Sequence, residues 1–470
     1  MRLTIGEIAQ CLHLLNEADS SVVVSSVATD NRQIRPGGLF VCIPGSRVDG
    51  HDFAEDAVRR GAVLVLAQKE LPTVTVPVLC VSDTVKALGT IAALWRSRLK
   101  GKIIAVTGTC GKTTVKETLG QVLGSVAKTA RTTLNHNNQI GMPCDLLNTD
   151  GDESYFVMEA GISHEGDMDE LGAILKPDMA LIVNVGAGHT EGLGKMGVAW
   201  NKARLLTHLA GNGVGFVCKD YTDLEREARN TGANVRFFST KDSRCALHAR
   251  YEGEDKSTGM GRFTLVADGS SYEMPAPFHG EYGAENVVAV AACAMQLGLT
   301  PEQVRAGLAQ LELPPQRFRH MTLGPWHIHD DTYNANPLSM RRMLHAVGDI
   351  RGDKTLVLVL GMMGELGEQA EELHRALGQD VAQVKPDLLF WKGAHAEAVR
   401  AGLGEACPFV AVEDSASFLS VWKDVKSHFP AGGHILFKGS RSNHLETLLD
   451  TFSQAVQGAE STNTGRAHVL

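Results

Sequence analysis

Short apolar runs alternate with longer amphipathic stretches along most of the chain. Apolar runs bounded by turn residues predict buried strands, and the intervals between them are long enough for helices. Near the start, strands are predicted at 38–43, 62–66 and 76–81, with helices over 53–60 and 85–99. The next stretch opens with Lys102-Ile103-Ile104-Ala105-Val106, and apolar runs follow at 155–158, 179–185 and 214–218. That strand-and-helix rhythm predicts a largely parallel sheet. From 246 to 274 the pattern changes to alternating short strands, which predicts a small appended antiparallel sheet. Leu313-Pro314-Pro315 is a linker signal. Beyond it, apolar strands at 326–330, 355–360, 388–391, 409–412 and 434–437 alternate with helix-length segments. This is a Rossmann-like rhythm without the dinucleotide G-x-G-x-x-G. The expected class is therefore α/β, with domains at 1–84, 85–313 and 314–457 and a disordered polar tail at 458–470.

Bulk properties narrow the function classes. A chain of 470 residues exceeds one ordinary core. Lys plus Arg is 45 and Asp plus Glu is 54, a net charge of −9. An acidic chain without basic blocks argues against nucleic acid and anionic membranes as partners. It does not exclude a phosphorylated substrate, because phosphate pockets are built locally from backbone N–H groups and one or two cations. None of the nine cysteines stands at C-x-x-C or zinc-ligand spacing, so free thiols in a reducing compartment are expected. Glu7 falls where a signal peptide would need an apolar core, and no apolar run approaches the roughly 18 residues of a membrane span. These features predict a cytoplasmic protein, and a monomer is expected.

Thr107-Gly108-Thr109-Cys110-Gly111-Lys112-Thr113-Thr114 follows a predicted strand and precedes a predicted helix. Glycines in that setting let backbone N–H groups turn inward around phosphates, and the helix N-terminus adds a favourable field. Lys112 is the candidate to neutralise a transferring phosphoryl group, and Thr113 the candidate hydroxyl for Mg²⁺. An ordinary glycine turn with an exposed lysine is the bland alternative, which the strand–loop–helix context disfavours. The full phosphate-loop motif wants glycine where Val106 stands, so this loop is a shortened one. Glu159 ends the run Val157-Met158, where an acid can reach a metal on the loop; such an acid is otherwise most often a cap.

The shortened T-G-x-x-G-K-T form resembles that of the Mur ligases and the related folylpolyglutamate synthetases. The resemblance continues through Asn184-Val185-Gly186-Ala187-Gly188-His189-Thr190-Glu191-Gly192, which is similar to the family's N-V-x-x-x-H-x-E-G. It implies His189 as a ligand of a second Mg²⁺ and Lys202, in Trp200-Asn201-Lys202, as a carbamylated metal ligand. A lone His or an exposed helix Lys would otherwise be unremarked. With Glu159 and Thr113 these form the implied metal set, and Lys112, Glu159, His189 and Lys202 the implied catalytic set. ATP contacts are implied at Gly108, Thr109, Cys110, Gly111, Lys112, Thr113, Thr114, Asn286, Arg317 and Asp331. Asn286 falls in the family's G-x-H-N-x-x-N, where Tyr282 and Gly283 here replace His and Asn.

Asp330-Asp331-Thr332-Tyr333-Asn334-Ala335-Asn336-Pro337 resembles the D-D-S-Y-N-A-N-P of the subfamily that adds D-alanyl-D-alanine. Gly361-Met362-Met363-Gly364-Glu365-Leu366-Gly367 and Lys438-Gly439-Ser440-Arg441-Ser442 resemble two further segments of it, with Met362 in place of Asp. The first domain resembles the family's UDP-binding domain at Thr29-Asp30-Asn31-Arg32, Gly45, Asp49 and His51, and the loop carrying Asn135, Asn137 and Asn138 resembles the one facing the sugar nucleotide. Tyr333, Asn334, Asn336 and Arg441 complete the implied substrate contacts. The implied activity is ATP-dependent joining of D-alanyl-D-alanine to UDP-N-acetylmuramoyl-tripeptide through an acyl phosphate. The C-terminal Rossmann-like domain would bind the incoming dipeptide. Another Mur-type amino-acid ligase is the nearest alternative. A P-loop kinase or ATPase would leave Arg317, Asp331 and the first domain without a role, and an inactive paralogue is suggested only by Ser163, Tyr282, Gly283 and Met362.

Overall fold

The computed structural model describes residues 1–14, 20–186 and 192–464, with side chains described to 457. Its strands form two-, four-, nine- and six-stranded sheets. The N-terminal four-stranded sheet is parallel throughout, in the order Ser26–Ala28, Gly38–Val41, Ala62–Ala67, Val78–Cys80.

Central to the molecule is the nine-stranded sheet, in which Lys102–Thr107 lies between Met179–Ile182 and Tyr155–Glu159, parallel to both. Parallel strands of this kind present their carboxyl ends together, which is where ligands bind in open α/β sheets. The alternating segment after residue 246 is not a separate sheet. Leu247–Asp255 joins Val235–Ser239 in parallel through Phe238↔Leu247 and Ser239↔His248, and then Met260–Ala267 and Ser270–Ala276 add antiparallel strands. Phe263 and Leu265 on this extension are buried in one core with Val287, Val288 and Ala291 of the helix Gly280–Gln296. A shared apolar face therefore continues the central sheet.

The C-terminal sheet contains the expected strands plus an edge strand, Arg319–Leu323, antiparallel to Trp326–Asp331. The hydrophobic pattern does not predict that strand, because Arg319-His320-Met321-Thr322-Leu323 is largely solvent-facing and carries no apolar run. The final helix runs from Glu446 to Thr464, further than the polar tail expected from residue 458. Leu448 and Phe452 anchor its first turns in the core, and adding residues to an established helix costs far less than starting one. Residues 465–470 lie outside the described residues.

One continuous core joins the N-terminal unit to the central sheet, running from Leu3, Leu39 and Leu64 through Ile91 and Trp95 to Phe156 and Met158. The C-terminal sheet has its own cores on either face, around Leu358 and Trp391 on one side and Phe390 and Phe437 on the other. Between the antiparallel extension and the C-terminal sheet lies a cavity of about 920 Å³ lined by His279, His320, His327, His329 and His434. His329 is hydrogen-bonded through Nδ1 to His320 Nδ1 (2.9 Å) and through Nε2 to His434 Nδ1 (2.9 Å). Strand register explains the first contact, since His320 pairs directly with His329, and places His327 opposite His434.

Candidate active site

At the carboxyl end of Lys102–Thr107 the chain turns through Gly108–Cys110 into the helix Lys112–Gly124. Gly111 takes φ 76° at the helix start, a left-handed conformation that a side chain would strain. No side chain caps this helix, so its first N–H groups remain available to a ligand. Asn184, fully buried at the end of Met179–Ile182, shapes the loop. Its carboxamide oxygen accepts from Thr109 N (3.1 Å) and Cys110 N (3.0 Å), and its Nδ2 donates to Cys110 O (3.0 Å). Lys112 Nζ donates back to Gly108 O at 2.9 Å. Burial pulls the Lys112 ammonium below its ordinary pKa, against the opposing pull of the Glu159 carboxylate.

Glu159 is 1% exposed at the end of Tyr155–Glu159. Its Oε1 accepts from Asn137 Nδ2 at 2.8 Å, an approach that Gly161 permits because a Cβ there would stand 2.7 Å from Asn137. Oε2 has no hydrogen-bond partner among the described residues, and lies 3.9 Å from Lys116 Nζ. A buried carboxylate oxygen left without a donor is costly, and a divalent cation is a natural complement to it. The oxygen-rich set of Glu159 and the Thr113 hydroxyl thus fits Mg²⁺. Lys202 is also buried, on the helix Gly197–Ala203. Burial drives its pKa well below the ordinary value, the Lys112 charge pushes the same way, and Glu159 opposes both. His189 lies outside the described residues.

The C-terminal unit closes over this loop. Arg317 Nη2 donates to the Thr113 hydroxyl at 3.1 Å, and its guanidinium stacks 3.8 Å from the Tyr333 ring centroid. Asn336, which caps the helix Pro337–Arg351, donates from Nδ2 to Thr109 O at 3.3 Å. Asp331 accepts from Phe318 N at 3.2 Å and from Lys438 Nζ, while Lys438 also donates to Asn334 O at 3.0 Å. A cavity of about 410 Å³ gathers these groups: Thr109 to Thr114 and Glu159 below, Asn135, Asn137 and Asn138 to one side, Asn286, Arg317, Asp331, Tyr333, Asn334 and Asn336 around the rest. Cations and backbone donors converge there on one concave face, an arrangement suited to a polyphosphate.

Not every sequence candidate lines this cavity. Thr29, Asp30, Asn31 and Arg32, with Gly45, Asp49 and His51, lie in the N-terminal unit, outside the cavity lining. There Arg32 pairs with Asp30 (2.6 Å), Asn31 Nδ2 donates to Asp56 (2.7 Å), and Asp49 bridges His51 (2.5 Å) and Lys69 (3.2 Å). Arg441 also lies outside the lining and pairs with Glu446 at 2.9 Å. Conversely, the sequence offers Asn184 and Lys438 only as members of family-like motifs with no role of their own, and does not mark Glu285 or Arg342 at all. Glu285 has a readable signal: it is the lone charged residue in the Gly283–Ala294 run, whose other members are apolar or small apart from Asn286, and a buried acid needs a cation.

Comparison with known proteins matches this architecture part by part. Residues 23–96 match the Mur ligase family catalytic domain, 106–294 the Mur ligase middle domain, and 316–441 the Mur ligase glutamate ligase domain. The UDP-N-acetylmuramoyl-tripeptide–D-alanyl-D-alanine ligase of Escherichia coli K12 is 33% identical over 447 residues, covering 92% of this chain and 94% of that one. The chain belongs to the Mur ligase family. Among solved structures, this Mur ligase is similar to MurF from Acinetobacter baumannii, with a TM-score of 0.86 and 28% identity, covering 97% of this chain and 99% of that one. It is also similar to the MurF ligase of Thermotoga maritima in complex with ADP, with a TM-score of 0.82 and 26% identity, covering 93% and 99% of the two chains. The expected family and the three-part α/β architecture are borne out.

Proposed function

We propose that this Mur ligase is an ATP-dependent ligase that joins D-alanyl-D-alanine to UDP-N-acetylmuramoyl-tripeptide, releasing ADP and phosphate. The observation that carries it is the likeness, over nearly the whole chain, to ligases named for that reaction. The Asp331-to-Asn336 segment, which resembles that subfamily, supports it by lining one cavity with the phosphate loop. ATP lies with its phosphates against Gly108–Thr114 and its nucleoside toward Asn286 and Asp331. Residues 1–84 hold the UDP end through Thr29–Arg32, Gly45, Asp49 and His51, with Asn135, Asn137 and Asn138 facing the sugar peptide. Residues 85–313 bind ATP, and 314–457 bind the dipeptide, with Tyr333, Asn334, Asn336 and Arg441 as substrate contacts.

The terminal carboxylate of the tripeptide attacks the γ-phosphorus, and the bond to the β-phosphate oxygen breaks to give an acyl phosphate and ADP. The amine of the dipeptide then adds to the acyl carbon, loses a proton, and expels phosphate as the amide forms. A carboxylate is a poor electrophile, and its acyl phosphate carries a good leaving group. Positioning and charge stabilisation supply the catalysis. Lys112 and Arg317 offset charge on the transferring group and fix its line of approach. Thr113, Glu159, His189 and a carbamylated Lys202 would hold Mg²⁺, which would neutralise phosphate charge. Glu159 Oε2, without a hydrogen-bond partner among the described residues, and the buried, readily neutralised Lys202 amine support that set. No described helix is long and apolar enough to cross a membrane. A cytoplasmic monomer is the state that fits soluble substrates of this kind.

Phosphate release with ATP, Mg²⁺, UDP-N-acetylmuramoyl-tripeptide and a panel of amines tests the proposal. Turnover should require D-alanyl-D-alanine and yield a UDP-pentapeptide by mass. Turnover with a single amino acid such as L-lysine, and none with the dipeptide, would refute it.

A further inference from the structure

Glu285 sits on the helix Gly280–Gln296 of the central unit, 2% exposed, with the apolar Val287–Ala294 stretch following on its own helix. Arg342 comes from the helix Pro337–Arg351 of the C-terminal unit and meets it in a two-pronged pair, Nη1 to Oε1 at 3.0 Å and Nη2 to Oε2 at 2.7 Å. The carboxylate is fully engaged: Oε2 also accepts from the Tyr221 hydroxyl at 2.9 Å, and Oε1 from Asn184 Nδ2 at 2.7 Å. This last bond matters for the phosphate loop. A carboxamide can be turned end for end at little cost unless its neighbours distinguish oxygen from nitrogen. Glu285 makes that distinction together with Cys110 O, because only the Asn184 NH₂ can face a carboxylate or a carbonyl, and of the two only Glu285 lies outside the loop. The Asn184 oxygen is thereby held toward Thr109 N and Cys110 N. Arg342 Nη1 also lies 3.3 Å from Cys110 Sγ, so the guanidinium touches the loop directly as well.

We infer that Arg342 is a positioning residue for the phosphate loop, acting through Glu285 and Asn184, so that the loop takes its nucleotide-ready shape only when the C-terminal unit is docked. The role rests on the nucleotide site proposed above. Its physical basis is the cost of an uncompensated buried charge. Without Arg342, Glu285 must take up a proton or admit water. Either change weakens its hold on the Asn184 NH₂ and loosens the carboxamide, so that Cys110 N loses its fixed acceptor and Thr109 N keeps only the Asn184 backbone carbonyl at 3.1 Å. A simple docking clamp would act differently. It would hold the two units together without altering the loop, and its loss would weaken nucleotide and dipeptide alike.

The test uses the full chain and two readouts: binding of a fluorescent ADP analogue with Mg²⁺, and hydrogen exchange of the amides at 108–111. Arg342→Met should weaken ADP roughly tenfold, a coupling in the usual range between linked sites, and speed exchange in the loop. The KM for ATP should rise in step while that for D-alanyl-D-alanine stays put. Arg342→Lys keeps a cation beside Glu285 and should recover most of the affinity, which also separates the role from misfolding of the methionine variant. Glu285→Gln combined with Arg342→Met should lose less than the two single changes summed, because the uncompensated charge is gone. Wild-type protein that binds no nucleotide would overturn the site and this role together. Wild-type binding with unchanged ADP affinity and loop exchange in Arg342→Met, or equal rises in both KM values, would overturn the role alone.

Discussion

Glu285 and His329 are both almost wholly buried polar groups near the junction of the nine- and six-stranded sheets, yet they are accommodated in opposite ways. Around Glu285 the charge is kept and matched, by Arg342 at 2.7 Å and by donors from Tyr221 and Asn184. Around His329 only other imidazoles stand within hydrogen-bond reach among the described residues, His320 and His434, each at 2.9 Å. Burial pushes the His329 pKa well down and that of His434 to about 4, and each neighbouring imidazolium would push further the same way. Neutral rings satisfy one another, since each carries one donor and one acceptor. The charged cluster borders the cavity that collects Lys112 and Arg317, and the imidazole cluster borders one that collects no phosphate loop. The difference teaches where this molecule tolerates fixed charge: beside the place where a highly charged ligand is proposed to arrive.

The charged side of that contrast should break hardest. Lys112→Ala should lower kcat roughly a hundred- to a thousandfold, as loss of a transition-state charge partner does, with an unchanged melting curve. Phosphate-release kinetics check this, and wild-type turnover in the folded variant would remove the loop from the mechanism. Lys202→Ala comes next, with a loss of about a hundredfold, as for disturbed metal ligation. Millimolar acetate should restore part of that activity, by placing an oxygen pair in the vacated space, and should do nothing for Lys112→Ala. No rescue at any acetate concentration would argue for packing and against a carbamate.

The imidazole side responds to pH. His279, His329 and His434 have folded pKa values below the ordinary 6.5, so the unfolded chain binds more protons than the folded one as acid is added. Their stability is fully present above pH 6.5 and is lost as pH falls toward the folded values. The slope is about 1.4 kcal/mol per pH unit for each group while the difference lasts. Urea midpoints should therefore drop between pH 7.5 and 5, and His329→Phe should flatten the curve; a level wild-type profile would contradict the cluster. The smallest effect belongs to His327, half-buried and stacked on His434 at 4.8 Å. His327→Gln should shift stability by less than about 1 kcal/mol and leave turnover unchanged, measured in the same two assays.

Local structure was legible in the sequence because it is carried by neighbours along the chain. Val214–Cys218 and Phe409–Val412 fall where their apolar runs put them, and Gly108–Thr114 turns from strand to helix as its glycines and lysine imply. Tyr333, Asn334 and Asn336 reach the same cavity as Lys112, as one contiguous segment would. What escaped was contact between distant segments. Glu285 and Arg342 are 57 residues apart, on helices of different units, and nothing within either helix names the other. The extension through Leu247 belongs to the central sheet because of a two-residue parallel pairing that no alternation pattern encodes. His320 and His329 face each other only once the register of an unpredicted edge strand is known.

The core that runs unbroken from Leu3 through Trp95 to Met158 has a consequence for how the molecule comes apart. Cooperative unfolding units follow shared buried surface rather than the count of sheets. The N-terminal and central sheets cannot separate without opening that surface to water, while the C-terminal sheet keeps its own cores on both faces. Heating in a calorimeter should accordingly resolve two transitions rather than three. The C-terminal unit would melt as one, and everything before Leu313 as the other.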